Sequence, residues 1–169
     1  MLDISDDVAR LAAAVCDIPS VSGSERELAD AIESALALPH LEVARDGDAI
    51  VARTSLGRNR RVVIAGHIDT VPVKDNLPTR LIGGELWGRG AVDMKGGVAV
   101  MLHLAGRLTA PSWDVTWVFY DHEEVDADQN GLGRIARNHP AWLEGDFAIL
   151  MEPTGAQIEG GCNGTLRVD

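Results

Sequence analysis

Histidine and carboxylate side chains recur in this chain where apolar runs end. Gly66-His67-Ile68-Asp69-Thr70 follows the run from Arg61 to Ala65, Glu123-Glu124 follows Val115 to Tyr120, and Glu152 closes Phe147 to Met151, with Asp93 standing between. An imidazole and several carboxylates are the N and O donors that hold a divalent cation such as zinc. Two carboxylates in different surroundings can also divide metal binding from proton transfer. His67 and Asp69 lie two apart, so on an extended segment both project to one face, which suits a ligand and the carboxylate that orients its ring. Glu123 and Glu124 would point apart on a strand, but a turn at the strand end brings both toward one pocket. Each group alone reads as ordinary strand-end or loop polarity. Together they point to a metal hydrolase.

The elements that must position these residues are legible around them. The three apolar runs read as buried strands, and in an open α/β sheet the crevice beyond the carboxyl ends of the strands is where ligands bind. Ser5 is placed to cap a first helix through about Asp17. Ser24-Glu25-Arg26-Glu27 reads as a capping box opening a second, with Leu28, Ile32 and Leu36 on its apolar face. Asp46-Gly47-Asp48 and Gly83-Gly84 are hairpin signals. A helix is predicted from near Met94 to about Leu108, ended by Pro111. Strands alternating with helices predict an α/β fold, with a mainly parallel, helix-covered mixed sheet.

Composition narrows the classes. A chain of 169 residues with 46% apolar content fits one domain. A formal charge of -11 argues against nucleic acid as a partner, and Arg58-Asn59-Arg60-Arg61 reads as a solvated turn. The N-terminus carries neither a signal pattern nor a long apolar stretch, so no membrane partner and a cytoplasmic location are expected. Cys16 and Cys162 form no CxxC pair, and a disulfide framework is not expected. Asn163-Gly164-Thr165 matches a glycosylation acceptor that only an exported chain would use.

Asp126 to Gly131 resembles half a calcium loop, but Arg137 stands where the bidentate Glu belongs. Gly131-Leu132-Gly133 follows no strand, so it does not read as a dinucleotide fingerprint. His40, His103 and His139 read as core or surface residues, and His122 is not taken as a ligand. Beyond Gly164 the sequence begins what reads as another strand, as though the chain stopped inside an element.

Taken in order, Gly66-His67-Ile68-Asp69-Thr70-Val71-Pro72, Gly88-Arg89-Gly90-Ala91-Val92-Asp93-Met94-Lys95-Gly96-Gly97, Glu123-Glu124 and Met151-Glu152-Pro153-Thr154 make the chain resemble the dinuclear-zinc aminoacylase and carboxypeptidase family. The segments Tyr120 to Val125 and Gly160 to Thr165 are most similar to its succinyl-diaminopimelate desuccinylases. The resemblance implies a zinc-exopeptidase fold and two Zn2+, with Co2+ as an alternative occupant of the second site. It implies that His67 and Glu152 bind one metal, Asp93 bridges both, and Glu124 binds the other. Asp69 would orient His67, and Glu123 would be the general base that takes a proton from the attacking water and passes it to the leaving amine. The peptide after the bridging Asp, Asp93-Met94, is expected to be cis.

The implied reaction is removal of the succinyl group from N-succinyl-diaminopimelate, a small-molecule N-acyl amino acid substrate of lysine biosynthesis. Acetylornithine deacetylation and dipeptide cleavage are the alternatives within the family, and a non-catalytic metal-binding fragment is the alternative outside it. Members of that family are roughly twice as long, with an inserted lid or dimerisation domain and a late His that completes the second metal site. The expectation is therefore that residues 1–169 are the N-terminal portion of a metal-binding catalytic domain, with the second site incomplete and little turnover by this polypeptide alone. The full-length protein is expected to be a homodimer.

Overall fold

Apolar runs and helix faces assemble here into one sheet with helices packed on it; the structure, a computed structural model, describes residues 2–161. Cys162, the Asn163-Gly164-Thr165 match and the strand expected beyond Gly164 lie outside the described residues. Helices α1 (Val8–Cys16) and α2 (Arg26–Ala35) precede the antiparallel hairpin β1 (Glu42–Asp46) and β2 (Ala49–Arg53), whose turn is at Gly47. Strand β3 (Arg61–His67) follows, then the small hairpin β4 (Arg80–Ile82) and β5 (Glu85–Trp87), helix α3 (Lys95–Arg107) and strand β6 (Asp114–Tyr120). Helix α4 (Gly131–Asn138), a 3-10 turn (Pro140–Trp142) and β7 (Phe147–Leu150) complete the described order.

The main sheet runs β1-β2-β6-β3-β7. Its β6, β3 and β7 strands are parallel, while β1 and β2 join antiparallel at one side. The mixed α/β architecture is the expected one, with the parallel portion carrying the candidate site. β6 is buried along its whole length, which is why its sequence reads as a continuous apolar run. Leu28, Ile32 and Leu36 are fully buried as their spacing predicts, each contributing about 1.5–3 kcal/mol through removal from water.

Local signals were overruled where tertiary contacts competed. The α1 cap is Asp7, whose carboxylate accepts from the main chains of Ala9 and Arg10, while Ser5 turns its hydroxyl to Asp3. The capping box expected at Ser24 does not form: Glu25 holds the cap position without a side-chain cap bond, and its buried carboxylate faces His122. Arg61 is not part of a solvated turn either. Its guanidinium bonds the main-chain oxygens of Val115 and Thr54.

The lower end of the sheet is tied by one carboxylate. Asp114, buried at the start of β6, accepts from Thr54 Oγ1 at 2.7 Å, Leu56 N at 2.8 Å and Arg58 N at 2.8 Å. Burial opposes its ionisation, but these three hydrogen bonds and the nearby Arg61 outweigh it and hold the carboxyl below its ordinary range. A depressed folded pKa means stability that is present above the ordinary aspartate value of about 3.9 and lost as pH falls through the folded value. D114N turns one acceptor into a donor facing donors. It is expected to cost about 2 kcal/mol at neutral pH in urea unfolding and to flatten the acid limb of stability against pH. A variant as stable as wild type at neutral pH would remove Asp114 from this role.

Candidate metal centre

The carboxyl ends of β3, β6 and β7 deliver the chemistry to one place. His67 is the last residue of β3 and pairs with Tyr120 at the end of β6. The chain leaving β7 is held by Met151 N donating to Ala65 O, which sets Glu152 beside His67. Asp93 arrives on the segment between β5 and α3, and its peptide bond to Met94 is cis, as expected from the motif. His67 Nε2 lies 3.0 Å from Asp93 Oδ1 and 3.8 Å from Glu152 Oε1. Donor atoms of His67, Asp93 and Glu152 lie within 4.8 Å of one another, and so do those of His67, Glu123 and Glu124.

Two glycines allow this approach. A Cβ on Gly66 would run into Met94 Cε, and one on Gly97 would meet Met151 O at 2.6 Å. Their bare backbones let Met94 tuck under β3, where its Sδ accepts from His67 N at 3.2 Å, and let α3 press against the exit of β7.

Asp69 does more than its spacing suggested. The His67 ring does face it, with Nδ1 3.0 Å from the Asp69 carbonyl oxygen and 3.4 Å from its carboxylate. The fully buried carboxylate itself accepts from Glu123 N at 2.9 Å, Glu124 N at 3.0 Å and Ser22 Oγ at 2.6 Å. It therefore fixes the main chain of the two glutamates as well as the ring of the histidine. Burial opposes its charge, but the bonds to His67, Ser22 and the two amides prevail and push its pKa far down.

Sequence reasoning missed a second buried arrangement. Glu25, fully buried, faces His122, whose Nδ1 is 2.8 Å from Asp121 and 3.3 Å from Glu25 Oε1. Asp121 in turn receives Arg134 from α4. No sequence signal paired residues so far apart in the chain, and Glu25 carried no assigned role in the expected capping box. His40, by contrast, makes a structural contact to Ala105 O, and His139 stacks on Trp142. Asn130 caps α4 through its side chain, so the glycines after it open a helix.

The cluster is electrostatically unbalanced without a cation. Burial works against a charged His67, yet Asp69, Glu152 and Asp93 outweigh it and raise its pKa to about 9. Burial raises the pKa of Glu124, with Asp93, Glu123 and Asp69 adding to it through repulsion. Glu152 is raised first by burial and then by its carboxylate neighbours. Carboxylates crowded until they resist ionisation, with an imidazole among them, fit a site for a hard divalent cation.

The comparisons with known proteins agree with this geometry. Residues 63–163 match the model of peptidase family M20/M25/M40. The chain belongs to this family. A Mycobacterium tuberculosis protein, named provisionally as the succinyl-diaminopimelate desuccinylase DapE, is 54% identical over 99% of this chain and 48% of its own length. The succinyl-diaminopimelate desuccinylase of Corynebacterium glutamicum is 49% identical over 99% of this chain and 47% of its own. The M20 chain thus spans about half the length of these curated relatives.

Among solved structures, human carnosine dipeptidase 1 superposes with a TM-score of 0.71 at 18% identity, covering 86% of this chain and 38% of that one. A dinuclear metal-binding M20 peptidase of Bacillus subtilis, YXEP, superposes at 0.55 with 16% identity, over 77% of this chain and 38% of its own. At these identities the superpositions show the fold.

D69N is expected to cost about 2–3 kcal/mol of stability, since a buried amide group would face two main-chain donors. It should also weaken divalent-cation binding by about tenfold to a hundredfold, as loss of a group that orients a ligand does. Zinc titration calorimetry beside urea unfolding measures both. Cation binding equal to wild type would show that Asp69 orients nothing in the cluster.

Proposed function

We propose that the protein is a zinc-dependent amidohydrolase that removes the succinyl group from N-succinyl-diaminopimelate, releasing succinate and diaminopimelate for lysine biosynthesis. The observation that carries the reading is the convergence of one imidazole with Asp93, Glu123, Glu124 and Glu152 at the ends of parallel strands. The name of the Corynebacterium glutamicum relative points to the acyl group. In this reading His67 and Glu152 hold one metal, Asp93 bridges, and Glu124 serves the other. When bound, the two cations supply Lewis acidity toward the amide carbonyl and lower the pKa of water.

The chain's own residues do the rest. Asp69 holds the His67 ring through its carbonyl and the two glutamate amides through its carboxylate. Glu123, exposed at the mouth while Glu124 is half-buried, has the access a proton carrier needs. It takes a proton from the attacking water as the C–O bond to the acyl carbon forms and delivers it to the amine nitrogen as the C–N bond breaks; with water's second proton also passed to the amine, the products are a carboxylate and an ammonium group.

The proposal places residues 1–169 as the first part of the metal-binding domain of a cytoplasmic, homodimeric enzyme. The additional length of the relatives would hold the remaining ligand of the second metal and a lid. Among the described residues no helix is long and apolar enough to cross a membrane.

In the intact protein, E123Q is expected to lower kcat for N-succinyl-diaminopimelate by about a hundredfold to ten-thousandfold while leaving bound zinc unchanged. Chelation should abolish turnover, and added zinc should restore it. Release of succinate, followed beside metal analysis, tests both. Full activity in E123Q, or hydrolysis that survives complete removal of metal, would sink the mechanism.

A further inference from the structure

A cavity of about 360 Å³ opens beside the carboxylate cluster, lined by Thr70, Val71, the Gly88 to Asp93 segment and Glu124. It shares Asp93 and Glu124 with the cluster, so a group seated in it lies next to the proposed reacting bond. Two of its lining residues carry donors that nothing satisfies. Thr70 is buried and its Oγ1 has no hydrogen-bond partner. Arg89 Nε is buried in the same condition. Among the described residues the Arg89 side chain makes no hydrogen bond or ion pair, although its main-chain N–H is held by Asn76 O.

Several arginines elsewhere are paired, while Arg53 Nε, outside this cavity, shares the unpaired condition. Arg45 contacts Asp30, Glu33 and Asp48, Arg61 contacts main-chain oxygens, and Arg134 joins Asp46 to Asp121. Buried donors are normally paired, and one left unpaired calls for a partner that binds there. The guanidinium fork matches the planar, bidentate geometry of a carboxylate, as it does that of a phosphate. Among the described residues, Arg89 is also the single cationic one lining a cavity whose other charges, Asp93 and Glu124, are negative. In a chain of net charge -11, an anionic substrate approaching these carboxylates needs such a counter-charge.

We propose that Arg89 and Thr70 form a carboxylate subsite of the substrate, taking the free carboxylate at the far end of the acyl group. The inference rests on the amidohydrolase reading and deepens it. A succinyl group ends in a carboxylate two methylenes from the carbonyl that reacts, whereas an acetyl group has none. The subsite thus gives a physical reason for choosing between those acyl groups.

The test uses the intact protein as wild type, R89M, R89K and T70V, with three amides: N-succinyl-diaminopimelate, N-acetyl-diaminopimelate and an N-succinyl amine without a carboxylate on its amine half. R89M is expected to raise KM for both succinyl amides by about tenfold to a hundredfold. It should change kcat little and leave the acetyl substrate within about twofold, because lost uniform binding appears in KM. R89K should recover part of the loss, and T70V should show a smaller loss of the same pattern.

If R89M instead impairs both diaminopimelate substrates and spares the amine lacking a carboxylate, the site binds the amine half's carboxylate and the acyl assignment is overturned. Equal impairment of all three, or of none, overturns the subsite altogether. Should wild type hydrolyse none of these amides, the desuccinylation reading fails, and calorimetric titration with succinate still decides the inference. Binding at least about tenfold weaker in R89M upholds the carboxylate site, and equal or absent binding overturns it.

Discussion

One buried carboxylate governs the arrangement of the candidate metal centre. Asp69 sits just past the end of β3 and accepts the amides of Glu123 and Glu124 from the end of β6, together with the hydroxyl of Ser22 from the N-terminal segment. Its charge is taken out of water, which is costly unless hydrogen bonds replace the lost solvation. Hydrogen bonds to a charged group contribute about 1.5–3 kcal/mol each, so three of them offset the desolvation and fix three chain segments together. The main chain of the two acidic residues is thereby positioned from beneath, leaving their side chains free for chemistry.

The same economy of backbone shapes the rest of the site. Parallel pairing of β3 with β6 and β7 aligns three strand ends, so residues distant in sequence finish at one level. Gly66 and Gly97 bring Met94 and Met151 close enough to hold the strand ends in place. Lys95, the first residue of α3, is buried and donates to Ile18 O at 2.7 Å. Burial lowers its pKa to about 8, partly countered by Cys16 and Asp17. It fastens the Asp93-bearing segment to the loop after α1, and that loop continues to Ser22, where Asp69 is bound. Ligand segments and their supports thus form a closed circuit of hydrogen bonds.

Much of this was legible because burial leaves a periodic trace. The runs preceding His67, Glu123 and Glu152 are apolar since β3, β6 and β7 lie inside the sheet, and the turn at Gly47 follows from the need for a positive φ there. What was illegible is what depends on a partner far along the chain. Ser24 to Glu27 carried a capping pattern, but a buried position under His122 claimed Glu25. The cap expected at Ser5 fell instead to Asp7, whose carboxylate accepts two amides at once. Asp69 announced a link to His67 through spacing, but nothing in its neighbourhood announced amides more than fifty residues away. A donor lacking a partner, as at Thr70 and Arg89, is visible only once the surroundings are built.

The turn that presents the glutamate pair shows how distant charge supports local conformation. His122 has φ +58, a left-handed conformation that a residue with a side chain adopts at a cost of about 1–2 kcal/mol. That turn is what swings the amides of Glu123 and Glu124 toward Asp69 while β6 continues straight up to Tyr120. The cost is met by the imidazole's neighbours: Asp121 at 2.8 Å, held in place by Arg134, and Glu25 at 3.3 Å from the buried side. Arg134 also grips Asp46 at the end of β1, so the hairpin β1-β2 and helix α4 both bear on the turn. Burial raises the Glu25 pKa, and the nearby His122 works against that rise. The imidazole therefore steadies the carboxylate while the carboxylate steadies the turn. A strand-end bend that local sequence would leave loose is thus held by charged groups from three separate elements, and the support of the candidate metal centre extends outward through them.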